Sequence, residues 1–177
     1  MTDRTRVKRR PAFDDESPLV LGIEASTSAT GIALGTVEGR LLAASWCEGR
    51  QPASALLLAE IDRQLQTVGA THDRVAAVTV THGPGGFTGL RVGMAVAKTI
   101  ARAWGARLYG FSTLAAAAAR WPVQGDVVAA LLDARRSEVY AGVYRIGDAP
   151  LPEALRADSV EPVQSLIEAV LTSNWPV

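Results

Sequence analysis

The sequence predicts an α/β protein in which helices cover the faces of a mixed β-sheet. Short apolar runs rich in β-branched residues alternate with longer segments whose apolar residues recur at helical spacing. The predicted order is βββαβα, then βαββ and a final helix. Strands joined by short turns pair antiparallel, whereas a helix between two strands favours parallel pairing, so the sheet is mixed. The repeated order indicates two related lobes that meet near Gly105.

Three neighbouring strands are expected to open the first lobe. Leu19–Ile23 is a short apolar run typical of a buried strand. Gly31–Val37 and Arg40–Cys47 are two further strand candidates, and Glu38-Gly39 between them is typical of a hairpin turn.

The first helix is expected at Ala53–Val68, between Pro52 and Gly69. Proline favours a helix start, and glycine just past the last apolar position favours a helix end. The apolar side chains of this segment fall at helical spacing on one face. They are Leu57, Leu58, Ile61, Leu65 and Val68.

A strand at Val75–Val80 then leads through a glycine-rich loop into a second helix at Thr88–Trp104, with Thr88 as its N-cap. Small residues recur in this helix at every fourth position and so form one ridge. They are Gly89, Gly93, Ala97 and Ala101. Such a ridge lets another helix approach closely, and the neighbour is either a helix of this chain or one from another chain. We favour the second case, in which Gly93→Arg or Ala97→Arg leaves the fold largely intact but breaks the association.

The second lobe is expected to contain three strands and two helices. The predicted strands are Arg107–Phe111, Val127–Asp133 and Glu138–Ile146, and the predicted helices are Thr113–Arg120 and Val163–Leu171. The proline-rich segment Gly147–Pro162 is predicted to be a loop.

Composition excludes several classes of protein. The 177 residues include 18 basic and 18 acidic side chains, so a chain-wide electrostatic grip on nucleic acid is excluded. One cysteine and two histidines leave no basis for a disulfide or a multi-cysteine zinc site, and we expect neither metal nor cofactor. No apolar run is long enough to span a membrane, which predicts a cytoplasmic protein.

Residues 1–18 are predicted to be a flexible basic tail, either simply solvated or in weak contact with RNA or a partner.

Three turns place residues suited to phosphate chemistry at strand ends. Backbone amides and hydroxyls in such turns can surround a phosphate while an acid holds a metal or a water. The candidate residues are Glu24, Ser26, Thr27, Gly83, Gly85, Gly86 and Asp133. The structural alternative is that the hydroxyls and acids cap their own backbone turns.

Four segments resemble, in order, the TsaB (YeaZ) family. They are GIEASTSATGIAL (Gly22–Leu34), GPGGFTGLRVG (Gly83–Gly93), GFSTL (Gly110–Leu114) and DARRSEVY (Asp133–Tyr140). The second is long and specific, and the similarity extends over about Leu19–Leu171. Family members usually have Asp at the position of Glu24 and often Ser at that of Gly86.

The resemblance implies an actin/Hsp70/sugar-kinase-like fold of the ribonuclease-H type, with a first lobe at 19–104 and a second at 105–177. It implies a role in forming N6-threonylcarbamoyladenosine next to the tRNA anticodon. In that pathway the paralogue TsaD catalyses the transfer, the ATPase TsaE joins the complex, and TsaB is a degenerate, non-catalytic copy. TsaD has paired metal-binding histidines on a helix, and nothing in this sequence corresponds to them.

The family pairs with TsaD through the two helices of the first lobe, which implies a partner surface made by both. The expected partner-binding residues are Leu57, Ile61, Gly89, Leu90, Gly93, Met94, Ala97 and Ala101. We also expect self-association when the partner is absent, and contact with tRNA only through the complex.

Family members are longer in the second lobe, so that lobe is expected to be short or incomplete here.

Two alternative functions compete with this one. A small-molecule kinase or ATPase of the same fold would use the strand-end acids and the glycine loop. A protease has no supporting nucleophile–base pair in the sequence.

Overall fold

The computed structural model describes residues 16–48, 53–149 and 151–172. Residues 1–15 of the predicted tail, and Pro52, lie outside them. The chain divides into two compact units. The first extends to His82 and continues with Gly86–Gly110, and the second contains Gly83–Gly85 and everything from Phe111 onward. The division follows Gly110 rather than residue 104, because the strand after Gly105 joins the sheet of the first unit.

The first unit is built on a five-stranded mixed sheet in the order β3-β2-β1-β4-β5. β1 pairs antiparallel with β2, β2 pairs antiparallel with β3, and β1 pairs parallel with β4. The strands are β1 (Leu19–Glu24), β2 (Ala29–Thr36), β3 (Leu41–Glu48), β4 (Val75–Gly83) and β5 (Arg107–Ser112). The prediction of a mixed sheet with helices on its faces is therefore confirmed.

Two long helices pack against each other and against this sheet. α1 spans Ala53–Val68, as predicted, and α2 spans Phe87–Trp104. α2 ends at Gly105, whose φ of 68° is a left-handed conformation that glycine adopts readily. The core between sheet and helices is made of aliphatic side chains from both, among them Leu21, Val78 and Ile100.

The second unit is a three-stranded antiparallel sheet, β6-β7-β8, with two short helices. Its elements are α3 (Thr113–Ala118), β6 (Val127–Arg135), β7 (Glu138–Arg145), β8 (Glu153–Pro162) and α4 (Val163–Thr172). α3 packs on β6 and β7, and the small core includes Leu114 and Tyr144. No helix within the described ranges is long and apolar enough to cross a bilayer.

The prediction that Gly147–Pro162 is a loop was wrong, because β8 occupies Glu153–Pro162. The prolines that suggested a loop flank this strand instead of interrupting it: Pro152 precedes it and Pro162 is its last residue. β8 lies at the edge of its sheet, where many side chains face solvent, so it lacks the apolar pattern that reveals a buried strand.

Candidate functional site

The turn after β1 is held by the acid that ends the strand. Glu24 Oε1 accepts a hydrogen bond from the Ser26 backbone N–H at 2.6 Å and a second one from the Ser26 hydroxyl. Ala25 and Ser26 are both buried. Because one carboxylate oxygen satisfies both donors of a buried serine, Glu24 stabilises the turn itself.

The start of α2 lies directly against this turn. The Gly86 N–H donates to the Ser26 carbonyl at 2.6 Å, and the Gly86 carbonyl accepts from Leu90 N–H. Gly86 is the N-cap and the helix begins at Phe87, so the prediction of Thr88 as N-cap was wrong. Both bonds use backbone groups, and a Cβ added to Gly86 would meet the Ser26 carbonyl oxygen at an ordinary 3.5 Å, so the geometry does not require glycine at this position.

Gly89 and Gly93 bring α2 close to β1. A Cβ added to Gly89 would lie 2.0 Å from the carbonyl oxygen of Ala25, and one added to Gly93 would lie 3.1 Å from the Ala25 Cβ. Ala97 and Ala101 are buried farther along the same ridge. The ridge of small residues is therefore closed within the first unit: Gly89 and Gly93 lie against the end of β1 and its turn, and the two alanines lie in the core.

This packing corrects the predicted partner surface. Leu57, Ile61, Gly93, Ala97 and Ala101 are buried inside the first unit and cannot contact a partner without opening it. Gly89 is partly exposed, but the Ala25 carbonyl occupies the space where a side chain would lie. The sequence could not reveal this, because small residues permit close approach by a sheet just as well as by a helix. Because Gly93 is buried and an added Cβ would lie 3.1 Å from the Ala25 Cβ, we expect Gly93→Arg to destabilise the fold, in contrast to the expectation from the sequence.

Leu90 and Met94 keep a partly exposed position on α2. Two large apolar side chains that the prediction left out are more exposed: Leu58 on α1 at 52% and Phe87 at the start of α2 at 67%. The Arg91 guanidinium lies over the Phe87 ring, 3.8 Å from its centroid, which is a cation–π contact. Leu58 was visible in the sequence as an apolar residue of the helix, but only the packing shows that it points outward.

The remaining residues that were predicted to surround a phosphate do not form one site within either unit. Thr27 is exposed and its hydroxyl donates to the Ala29 carbonyl at 3.2 Å. Gly83, Gly85 and Asp133 belong to the second unit, whereas Glu24 and Ser26 belong to the first. Gly83 and Gly85 have φ values of 120° and 156°, so their role in shaping the loop requires glycine.

The electrostatics of the α2 N-terminus follow from the same contacts. A helix N-terminus attracts negative charge because its first amides point outward. Here the carbonyl oxygens of Ala25 and Ser26 lie at that end, and one of them accepts from Gly86 N–H. Part of the anion-binding capacity of this helix end is thus used by the chain's own backbone.

A polar network that sequence reasoning missed fastens α1 to β3. Glu60 accepts hydrogen bonds from Ser45, Arg63 and Gln64, and the Arg63 contact is bidentate. Burial alone would raise the pKa of Glu60, but the hydrogen bonds from these three side chains outweigh it and lower the pKa below its ordinary value. The spacing of Glu60, Arg63 and Gln64 on one helix face was the available signal.

A second cluster organises the other unit. Ser112 caps α3 by accepting from the amides of Leu114 and Ala115, and it donates to Asp158 on β8 at 2.5 Å. The Tyr144 hydroxyl also donates to Asp158. Burial, followed by this hydrogen bond, raises the pKa of Tyr144 to about 12. The cluster joins α3, β7 and β8. Among the described residues, no group of three or more His, Cys, Asp or Glu side chains is placed to hold a metal.

The mixed sheet flanked by helices makes this an α/β protein, the class that the sequence predicted. The family model described as "TsaD: tRNA N6-adenosine threonylcarbamoyltransferase" matches residues 51–170. The solved structure of YeaZ from Pseudomonas aeruginosa superimposes with a TM-score of 0.73 at 31% identity, covering 82% of this chain and 68% of that one. The chain belongs to the TsaB (YeaZ) family.

Two curated relatives agree with this assignment. The TsaB protein of Bacillus subtilis is 26% identical over 141 residues, which is 80% of this chain and 61% of the relative. The TsaB protein of Escherichia coli is 31% identical over 131 residues, which is 71% of this chain and 54% of the relative. Both are named tRNA threonylcarbamoyladenosine biosynthesis proteins. The chain spans between about half and three fifths of the length of these relatives.

Proposed function

We propose that this chain is a non-catalytic subunit that pairs with a TsaD-type transferase in forming N6-threonylcarbamoyladenosine in tRNA. Support comes from the family membership, from the names of the curated relatives, and from the description of the matching family model. In the larger complex the TsaE ATPase is the third component, and tRNA is contacted in the assembled complex.

The observation that carries this proposal is the outer surface of the α1–α2 pair. The inner faces of both helices are complete, since they close on the sheet and on each other. Leu58 and Phe87 nevertheless remain largely exposed, and Leu90 and Met94 are only partly covered. Single exposed apolar side chains are common on proteins, so the proposal requires these four, which belong to two helices that pack on each other, to form one contact surface.

The turn after β1 supports the non-catalytic part of the proposal. Glu24 Oε1, the Ser26 hydroxyl and the Gly86 amide are groups that a phosphate-transfer site would present to its substrate. All three are engaged with one another or with the backbone of the turn. The alternative of a small-molecule kinase or ATPase therefore has no comparable support.

Co-purification with a tagged TsaD-type transferase tests the proposal. We expect the wild-type chain to be retained and to stimulate formation of the modified nucleoside in unmodified tRNA, measured by mass spectrometry after digestion. Leu58→Arg places a charge on the proposed surface and should reduce retention at least tenfold, because burying an unpaired charge in an interface is strongly unfavourable.

Leu41→Arg is the matched control, because Leu41 on β3 is exposed to the same extent as Leu58, at 52%. Both variants should keep the circular dichroism spectrum and melting temperature of the wild type. Equal retention of the two variants would contradict the proposed surface. Modified nucleoside formed by the chain without any transferase would contradict the non-catalytic role.

A further inference from the structure

The hairpin between β6 and β7 has three consecutive non-glycine residues in the left-handed region. The φ values are 68° for Arg135, 54° for Arg136 and 65° for Ser137. β6 ends at Arg135 and β7 begins at Glu138, so Arg136 and Ser137 form a two-residue turn. Two-residue hairpin turns with positive φ at both positions favour Asn-Gly, because glycine and asparagine adopt that conformation at low cost.

The residues present here are costly for folding. A left-handed conformation is unfavourable for a residue with a side chain, because its Cβ comes too close to the following carbonyl oxygen. The turn compensates in part through Asp133, whose Oδ1 accepts from the Arg135 N–H at 2.7 Å. Neither arginine side chain is needed for that bond, since the donor is a backbone amide. The choice of arginine at these two positions therefore calls for an explanation outside folding.

The two guanidinium groups are exposed at the tip. No ion pair involves either of them among the described residues, where salt bridges instead join Arg63, Arg145 and Arg156 to glutamates. Glu138 faces Arg135 in the strand register, but no salt bridge joins the two among the described residues. The two arginines are therefore exposed and without an ion pair in the described part of the chain, although Asp133 and Glu138 flank them in the hairpin.

The chemistry of the tip favours a phosphate-bearing partner. Arg136 and Ser137 are exposed polar donors, and no apolar side chain lies between Arg135 and Glu138. A protein interface normally has an apolar centre, which this tip lacks. The planar guanidinium fork matches the oxygens of a phosphate, and RNA backbone contacts are made largely by such donors.

We propose that Arg135 and Arg136 bind backbone phosphates of the tRNA held by the complex. This inference rests on the proposed function, because it assumes that the tRNA and the transferase are brought together with this chain. The contact is independent of base identity, so it contributes affinity and positioning.

A tRNA titration of the complex between this chain and a TsaD-type transferase tests the inference. Fluorescence anisotropy of labelled, unmodified tRNA would be followed at several salt concentrations. For Arg135→Gln with Arg136→Gln we expect about tenfold weaker binding, and a slope of log affinity against log salt that is smaller by about 1–2. Arg107→Gln with Arg120→Gln is the matched control, because it removes two exposed arginines elsewhere and should change both quantities little.

Retention by the tagged transferase is measured on the same samples, so the two proposals can fail separately. If the double hairpin variant is retained normally and binds tRNA with wild-type affinity and salt slope, the inference is overturned. An equal loss in the Arg107/Arg120 control would overturn it too, since any lost charge would then suffice. If the hairpin variant loses the transferase instead, the tip contacts protein and the phosphate assignment is wrong. Failure of the wild-type chain to bind the transferase would count against the proposed function.

Discussion

Two turns in this molecule use the same local device in opposite settings. After β1, Glu24 accepts from the amide two residues ahead, that of Ser26. At the end of β6, Asp133 accepts from the amide two residues ahead, that of Arg135. The first turn is buried beneath the start of α2, whereas the second is exposed and presents two arginines.

The comparison shows that a strand-end acid followed by a turn does not by itself specify a role. Both acids were candidates for one phosphate cleft, and both are used to hold their own turns. The role of each turn depends on which part of the chain packs against it. Helix α2 packs on the first turn and makes it part of the core structure. The second turn is exposed at the hairpin tip, where it can contact an anion.

The largest change in the free energy of unfolding is expected from disrupting the packing of α2 on the first turn. Gly89→Ala would place a Cβ 2.0 Å from a backbone oxygen, which only a shift of the helix or the turn can relieve. We expect a loss of about 3 kcal/mol in the free energy of unfolding, measured by urea denaturation. Gly31→Ala in the same unit is the control, because its added Cβ would meet neighbours at an ordinary 3.7 Å or more. Similar losses in both variants would refute the close approach of α2.

Removal of the two acids compares the turns directly. Glu24→Ala leaves a buried serine without its acceptor and should cost about 2 kcal/mol of unfolding free energy. Asp133→Ala exposes its amide to water, which can replace the lost acceptor, so the cost should be about 0.5–1 kcal/mol. Urea denaturation of both variants measures the difference. A larger loss for Asp133→Ala would reverse the assignment of the buried and exposed turns.

Alkaline titration is expected to weaken the unit that contains the exposed turn. The pKa of Tyr144 is raised to about 12 from an ordinary value near 10, so the folded state favours the neutral phenol. This stabilisation is fully present below pH 10 and is lost as the pH rises from 10 through 12. We expect a decline of about 1–2 kcal/mol between pH 9 and pH 12, measured by urea denaturation. Tyr144→Phe should remove that part of the decline, whereas Tyr109→Phe, at an exposed tyrosine, should retain it.

The smallest change in the unfolding free energy is expected from replacing the residues that adopt a left-handed conformation in the hairpin turn. Arg136→Asn with Ser137→Gly installs the residues that a two-residue turn favours and should raise the unfolding free energy by about 1 kcal/mol. Calorimetric melting of the full chain measures this gain. The same variant should bind tRNA more weakly, because it lacks one arginine. A variant that is no more stable than the wild type would remove the argument that arginine is costly at this turn.

The local sequence pattern was sufficient to predict most of the helices and strands. The boundaries of α1 matched the prediction, and those of α2 differed by one residue, because the apolar periodicity and the flanking glycines are local properties. β8 escaped prediction because an exposed edge strand has no apolar pattern. The predicted partner-binding residues agree less well with the structure. Leu90 and Met94 are accessible, but Leu57, Ile61 and Ala97 are buried.

The amino-acid sequence alone determined the α/β class, the family and the positions of the turns, because these depend on residue types at short spacing. Only the tertiary structure decided which face of α2 is buried and which turn is covered. A ridge of small residues and a strand-end acid fit several neighbours equally well. The packing of α2 on β1 selected one of them, since each helix face can be close to only one surface at a time.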